Sequence, residues 1–115
     1  MKYMLMIYAD ESKMSAMRES DAGAFMQAYG VYTQALVDAG VMRAADRLRP
    51  VADATSVRVR HGRTEVIHGP YADTLEQLGG YYLIEAPDLD VALSWAARCP
   101  SAPIGTIEVR PVWEM

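Results

Sequence analysis

Twice in this chain an apolar, strand-like run passes into a segment whose large apolar side chains recur every three or four positions. The first run, Lys2 to Ala9 (KYMLMIYA), is apolar nearly throughout and carries Tyr3, Ile7 and Tyr8, the pattern of a central strand covered on both faces. A helix is predicted from Asp21 to Ala39, where Phe25, Tyr29, Tyr32 and Leu36 form one stripe, with Ser20 as candidate N-cap and Gly40 as its stop. The second run, Gly79 to Ala86 (GGYYLIEA), ends at Pro87. Asp88 then caps a helix whose Leu89, Ala92, Leu93 and Ala96 share a face, and Pro100 closes it.

The remaining segments are less regular. Glu11 to Arg18 reads as an extra helical turn or a loop, with Ser12 as its candidate cap and mostly Met for apolar side chains. Val41 to Leu48 mixes apolar and charged residues and specifies no element, and Pro50 with Asp53 marks a break. Thr55 to Arg60 alternates Val57 and Val59 with Ser56, Arg58 and Arg60, a strand with one wet face. His61-Gly62 turns it into Thr64 to Ile67, making a hairpin. Gly105 to Val112 is the last strand. This order matches the split βαβ, ferredoxin-like arrangement, an α+β fold in which two helices cover one face of an antiparallel sheet. Tyr8, Met6, Tyr82, Ile84, Ile107 and Val109 exceed what two helices can bury, so a second copy is expected to cover the opposite face, making a homodimer.

Composition narrows the functional classes. With 115 residues, 51% hydrophobic and 23% charged, the chain suits one domain over residues 1–115 with a core that needs no disulfide or structural metal. Its net charge of −4 lacks the basic excess of a nucleic-acid binder. Cys99 is the only cysteine, so no internal disulfide forms and a cytoplasmic location is the default. The apolar start is short and is followed by Asp10 and Glu11, unlike a signal peptide, and no run approaches the ~20 apolar residues of a membrane span.

The run from His68 to Pro100 (HGPYADTLEQLGGYYLIEAPDLDVALSWAARCP) resembles the YCII-related proteins, in particular the branch named for its Asp-Gly-Pro-Phe motif. The opening MKYMLMIYADE, Gly40 after the first helix, Gly69-Pro70, the Glu76-Gln77-Leu78-Gly79-Gly80 run and the closing GTIEVRPV also look like that branch. The resemblance implies a ferredoxin-like unit pairing into a dimeric α+β barrel with a pocket in each subunit. It also implies frequent genomic association with extracytoplasmic-function sigma factors, which makes a sigma factor a candidate partner. Two positions depart from the motif: His68 stands in place of Asp, and Tyr71 in place of Phe. The wider family includes members proposed to pair a His on the first helix with an Asp, but the first helix here contains no histidine.

The candidate chemistry centres on His68, which follows a strand and precedes Gly69-Pro70, where clefts commonly form. Its imidazole suits proton transfer near neutral pH, and Asp73 or Glu76 would orient it; the alternative is a solvated turn histidine with both carboxylates capping the turn. Gly69 and Pro70 shape a turn that holds Tyr71 over the sheet. Tyr8 and Tyr29 are candidate pocket walls for an unknown small molecule, with the core or the dimer interface as the competing role. Tyr81 and Tyr82 must face opposite sides of their strand. No nucleotide signature surrounds Gly79-Gly80, and the spacing of His61, His68 and Cys99 suggests no metal; no cofactor is expected. Arg43, Arg47, Arg49, Arg58, Arg60 and Arg63 are the one positive concentration, either a solvated face or a contact for an acidic partner. The expected function is therefore either catalysis in that pocket or non-catalytic metabolite binding linked to a regulatory partner.

Overall fold

The computed structural model of the chain describes residues 1–114. Four strands form an antiparallel sheet: β1 (Lys2–Ala9), β2 (Met42–Arg47), β5 (Gln77–Glu85) and β6 (Thr106–Pro111), in the order β2-β5-β1-β6. Strands β1 and β5 are central, and each connects to an outer strand through a helix, as the ferredoxin-like split βαβ unit requires. That unit is the half from which dimeric α+β barrels are built. None of the described helices is long and apolar enough to cross a membrane.

Alternation decides what lies under the helices. Tyr3, Leu5 and Ile7 of β1 are buried, with Tyr82 and Ile84 of β5, beneath α2 (Glu19–Asp38) and α3 (Leu89–Ala97). Leu36 and Tyr32 of α2 close this core from above, with Ala92 and Ala96 of α3. Tyr32 stands edge-on to Tyr82 at 5.3 Å and its hydroxyl donates to the Trp95 carbonyl at 2.8 Å, which ties α2 to α3. Ile107 and Val109 pair with Ile7 and Leu5 and share their face, so of the six residues expected to exceed what two helices can bury, Tyr82, Ile84, Ile107 and Val109 are the ones the helices serve. Met6 and Tyr8 do face the other way.

Several boundaries differ from the sequence expectation. A short α1 (Glu11–Ser15) is capped by Asp10, whose carboxylate accepts from the Ser12 amide at 3.0 Å, rather than by Ser12 itself. Helix α2 begins at Glu19 with Arg18 as its N-cap and no side-chain cap; Ser20 lies inside the first turn. The acidic Glu19 and Asp21 suit that end of the helix. Asp88 does cap α3, accepting from the Val91 amide at 2.9 Å.

The hairpin is well formed but lies outside the main sheet. Strands β3 (Thr55–Arg60) and β4 (Arg63–His68) pair antiparallel as a separate two-stranded sheet, while β2, absent from the sequence expectation, holds the edge beside β5. Among the described residues, none of the hydrogen bonds of β3 or β4 reaches the four-stranded sheet or a helix. The radius of gyration is 16.1 Å, against about 13 Å for a compact chain of this length, and the molecule measures 47 × 44 × 18 Å. The hairpin is a projecting limb.

Candidate functional site

The stripe on α2 divides in two. Its C-terminal members, Tyr32 and Leu36, are buried in the core, whereas Phe25 and Tyr29 are only half-buried because the first turns of the helix ride above the sheet. Beneath them opens a cavity of about 770 Å³, roofed by α1 and α2 and floored by β1, β2 and β5. Gly79 and Gly80 leave part of that floor without side chains, and Gly80 lets β2 run close, since a Cβ there would meet the Asp46 carbonyl at 2.7 Å. Met14 and Met17, next to Phe25, supply a deformable apolar wall.

The polar groups in this apolar chamber are few. At the inner wall, the Tyr29 and Ser101 hydroxyls lie 2.5 Å apart, with the Cys99 sulfur 3.3 Å from the Tyr29 oxygen. Two hydroxyls sharing one hydrogen bond spend one proton on each other and keep a second; when Tyr29 holds it, the weakly accepting Cys99 sulfur lies within reach. At the rim, the Glu11 carboxylate accepts from the Val51 amide at 3.1 Å, and the Glu11 amide donates to Gln77 at 3.0 Å, pinning α1 over the opening. On the opposite, helix-free face of the sheet, Tyr81 donates to Asp46 at 2.5 Å and ties β5 to β2, while Arg47 lies on the chamber side, against Met26 of α2.

Burial pushes the Tyr29 phenol well above its ordinary value, the Cys99 contact adds to this, and the Ser101 hydrogen bond opposes it. Tyr29 therefore keeps its proton at neutral pH and acts as a hydrogen-bonding group, not as a base. Tyr32 and Tyr82 are raised chiefly by burial, and Tyr81 chiefly by its hydrogen bond to Asp46. A folded-state value above the unfolded one near 10 gives stability that is complete below about pH 10 and is lost as pH climbs through the folded value. Phenolate absorbance is accordingly expected to show Tyr29, Tyr32, Tyr81 and Tyr82 ionising late, with the three held up mainly by burial titrating only as the chain unfolds. Reversible ionisation of every tyrosine near pH 10 with the fold intact would contradict this arrangement.

The residues singled out from the sequence separate into three places. Tyr29 lines the chamber. Tyr8 and Glu76 border a shallower, open depression, where the Glu76 carboxylate accepts from the Thr106 hydroxyl at 2.8 Å. His68 ends β4 opposite Thr55, is exposed, and lines neither concavity; Asp73 is also exposed, and no hydrogen bond links His68 to Asp73 or Glu76 among the described residues. Gly69 holds φ +119°, a conformation that favours glycine, and its amide donates to the Ala54 carbonyl at 2.8 Å while its own carbonyl accepts from Ser56. Pro70 and Tyr71 follow in the open, Tyr71 being 78% exposed. Ser101, Glu11 and Gln77 carried no sequence signal for this site: the Tyr29 and Ser101 hydroxyls meet across 72 positions of chain.

Comparison with known proteins agrees with this architecture. The model of the YCII-related domain matches residues 1–115. An uncharacterised protein of Rhizobium meliloti is 37% identical over 114 residues, covering 97% of this chain and 92% of its own length. Among solved structures, 5-chloro-2-hydroxyhydroquinone dehydrochlorinase (TftG) from Burkholderia phenoliruptrix, in complex with 2,5-dihydroxybenzoquinone, superposes with a TM-score of 0.55 at 14% identity, covering 99% of this chain and 94% of that one. At that identity the likeness is one of fold. With the domain model spanning the chain and a relative matched over nearly its whole length, the chain belongs to the YCII-related family.

Proposed function

We propose that this protein binds a small, oxygen-bearing organic molecule, a planar ring being the best fit, in the chamber under α1 and α2, and that it works as a homodimer. The observation that carries the reading is an apolar chamber of about 770 Å³, within the size range of ligand sites, whose inner wall presents the Tyr29–Ser101 hydroxyl pair. A ligand carbonyl or hydroxyl oxygen would take the proton those two groups do not spend on each other, while Phe25 and the methionines cover its faces. The dihydroxybenzoquinone in the TftG complex is of this class, which supports the choice of ligand without fixing it.

Catalysis is the finer part of the proposal. A proton-transfer role for His68, oriented by Asp73 or Glu76, requires a second subunit to bring a ligand to the motif loop, because within one chain His68 adjoins no chamber. The regulatory alternative, a module presented to a sigma factor, would use Arg58, Arg60 and Arg63 on the hairpin and predicts the same occupied chamber without turnover.

Native mass spectrometry of the freshly isolated protein, followed by titration with hydroxylated quinones including 2,5-dihydroxybenzoquinone, tests the reading. Tyr29→Phe combined with Ser101→Ala, which removes both hydroxyls, is expected to weaken binding about tenfold, the worth of one hydrogen bond. A thermal midpoint close to that of the parent would show that the chamber survives the change. Equal affinity of the two proteins, or absence of any ligand or quinone binding, would overturn the assignment.

A further inference from the structure

We propose that the chamber takes its ligand as an anion and that Arg47 selects for it: the guanidinium receives a charged ring oxygen at the rim, while the Tyr29–Ser101 pair meets another oxygen at the inner wall. The proposal rests on the ligand-binding reading above and adds the ligand's charge. Strand parity fixes the side on which Arg47 stands. In β2 it shares the helix side with Ala45, whereas Asp46 between them projects to the helix-free face. The main chain around it is held, since Arg47 pairs with Gly80 and the Leu48 amide donates to the Gly79 carbonyl at 2.9 Å. With no side chain on Gly80, the arginine stem rises beside an open stretch of floor to α2, where its Nη1 lies 3.8 Å from the Met26 sulfur.

The charges around the chamber differ in what they leave available. Among the described residues that line it, Arg47 alone is positive, and Glu11 and Asp46 are negative. Both carboxylates are engaged: Glu11 accepts from the Val51 amide at 3.1 Å, and Asp46 accepts from Tyr81 on the far face. Arg47 makes no ion pair with a described carboxylate, although Arg18, Arg43, Arg49, Arg58 and Arg110 each have one within 4.0 Å. A thioether sulfur is a weak acceptor, so the guanidinium keeps its donors for another group. In a chain of net charge −4 an anion meets general repulsion, and Arg47 is the local cation that offsets it at this opening. Guanidinium geometry narrows the anion further. Its planar fork of N–H groups matches two neighbouring oxygens in one plane. The ring class that fits is a hydroxyquinone, whose hydroxyl is a vinylogous acid, ionised near neutral pH, and whose anion carries charge on adjacent ring oxygens.

Calorimetric titration of the full chain near neutral pH with two probes of one ring system tests this: 2,5-dihydroxybenzoquinone, an anion there, and its neutral dimethyl ether. The parent protein is expected to bind the anion at least about tenfold more tightly than the ether, with the preference shrinking as salt is added. Arg47→Gln should bind the anion at least about tenfold more weakly and the ether within about twofold of the parent. Arg47→Lys, which keeps the charge and loses the fork, should recover part of the difference. Arg47 is exposed, so the thermal midpoints of both variants should match that of the parent. Undiminished affinity of Arg47→Gln for the anion, or a parent that binds the ether as tightly, would overturn the role of Arg47 and leave the chamber a site for a ring of any charge. Binding of neither probe by the parent would overturn both readings.

Discussion

Gly105→Ala is expected to lower stability by about 3 kcal/mol, the upper end of overpacking costs, because its methyl group has no room. A Cβ at this position would sit 2.2 Å from the Tyr8 carbonyl oxygen, 3.2 Å from its carbon and 3.3 Å from the Ala9 Cα. All three are main-chain atoms of β1, so no change of rotamer relieves the overlap. Gly105 is also held from its other side, its amide donating to the Ser101 carbonyl at 2.7 Å. Relief requires the start of β6 to lift from β1, which breaks the Tyr8–Thr106 pairing, or the Ser101 turn to open, which moves a hydroxyl of the chamber wall. Denaturant unfolding reads the first effect and ligand titration the second. Gly23→Ala on α2 is the matched control: it meets open space, and removing a helical glycine should stabilise by about 0.5–1 kcal/mol. A Gly105→Ala protein as stable as the parent would mean that the two strands do not approach this closely.

How much of this was legible beforehand follows from the kind of signal each element leaves. Strands β1 and β5 and helices α2 and α3 announce themselves because one side of each is buried without interruption, so burial imprints its period on the residues. Strand β2 leaves no such imprint: it is an edge strand with an irregularity between Met42 and Ala44, small residues at Ala44 and Ala45, and solvent-facing Arg43, Asp46 and Arg47. The start of α2 was misplaced because Arg18 turns the chain by its backbone alone, whereas a Ser or Asp would have marked the spot. The hairpin shows the limit of periodicity itself, which says which side chains share a face and nothing about what that face meets.

The site divides along the same line. Tyr29 was recognisable because it sits on the helical stripe, at a position where the helix parts from the sheet. Ser101 was not, because a serine in a turn acquires meaning only when α3 returns the chain to α2. His68 drew attention through its chemistry and its place at a strand end. Whether a strand end borders a chamber is decided by the neighbouring elements, and here β4 has only β3 beside it.

Leu36→Ala should cost about 2–5 kcal/mol, a large part of the roughly 5–15 kcal/mol that stabilises a typical domain. Leu36 is 0% exposed and contributes to the core with Leu5 and Ile84, themselves 1% and 0% exposed, so truncation leaves a void that side chains in a sheet and a long helix cannot collapse to fill. The midpoint of thermal unfolding should fall by on the order of 10–15 °C. Val31→Ala on the same helix, at a position 69% exposed, should change stability by no more than about 0.5 kcal/mol. The contrast matters for function because α2 is anchored at one end and spans the chamber at the other. Loosening the Leu36 anchor should also weaken ligand binding through displacement of Tyr29, even though Leu36 does not line the chamber. Phe25→Ala inverts the pattern: it removes a half-buried side chain from the roof, so affinity should fall while the unfolding midpoint moves far less than in Leu36→Ala. If both substitutions lowered the midpoint equally, the N-terminal half of α2 would be core and the chamber beneath it would not exist in solution.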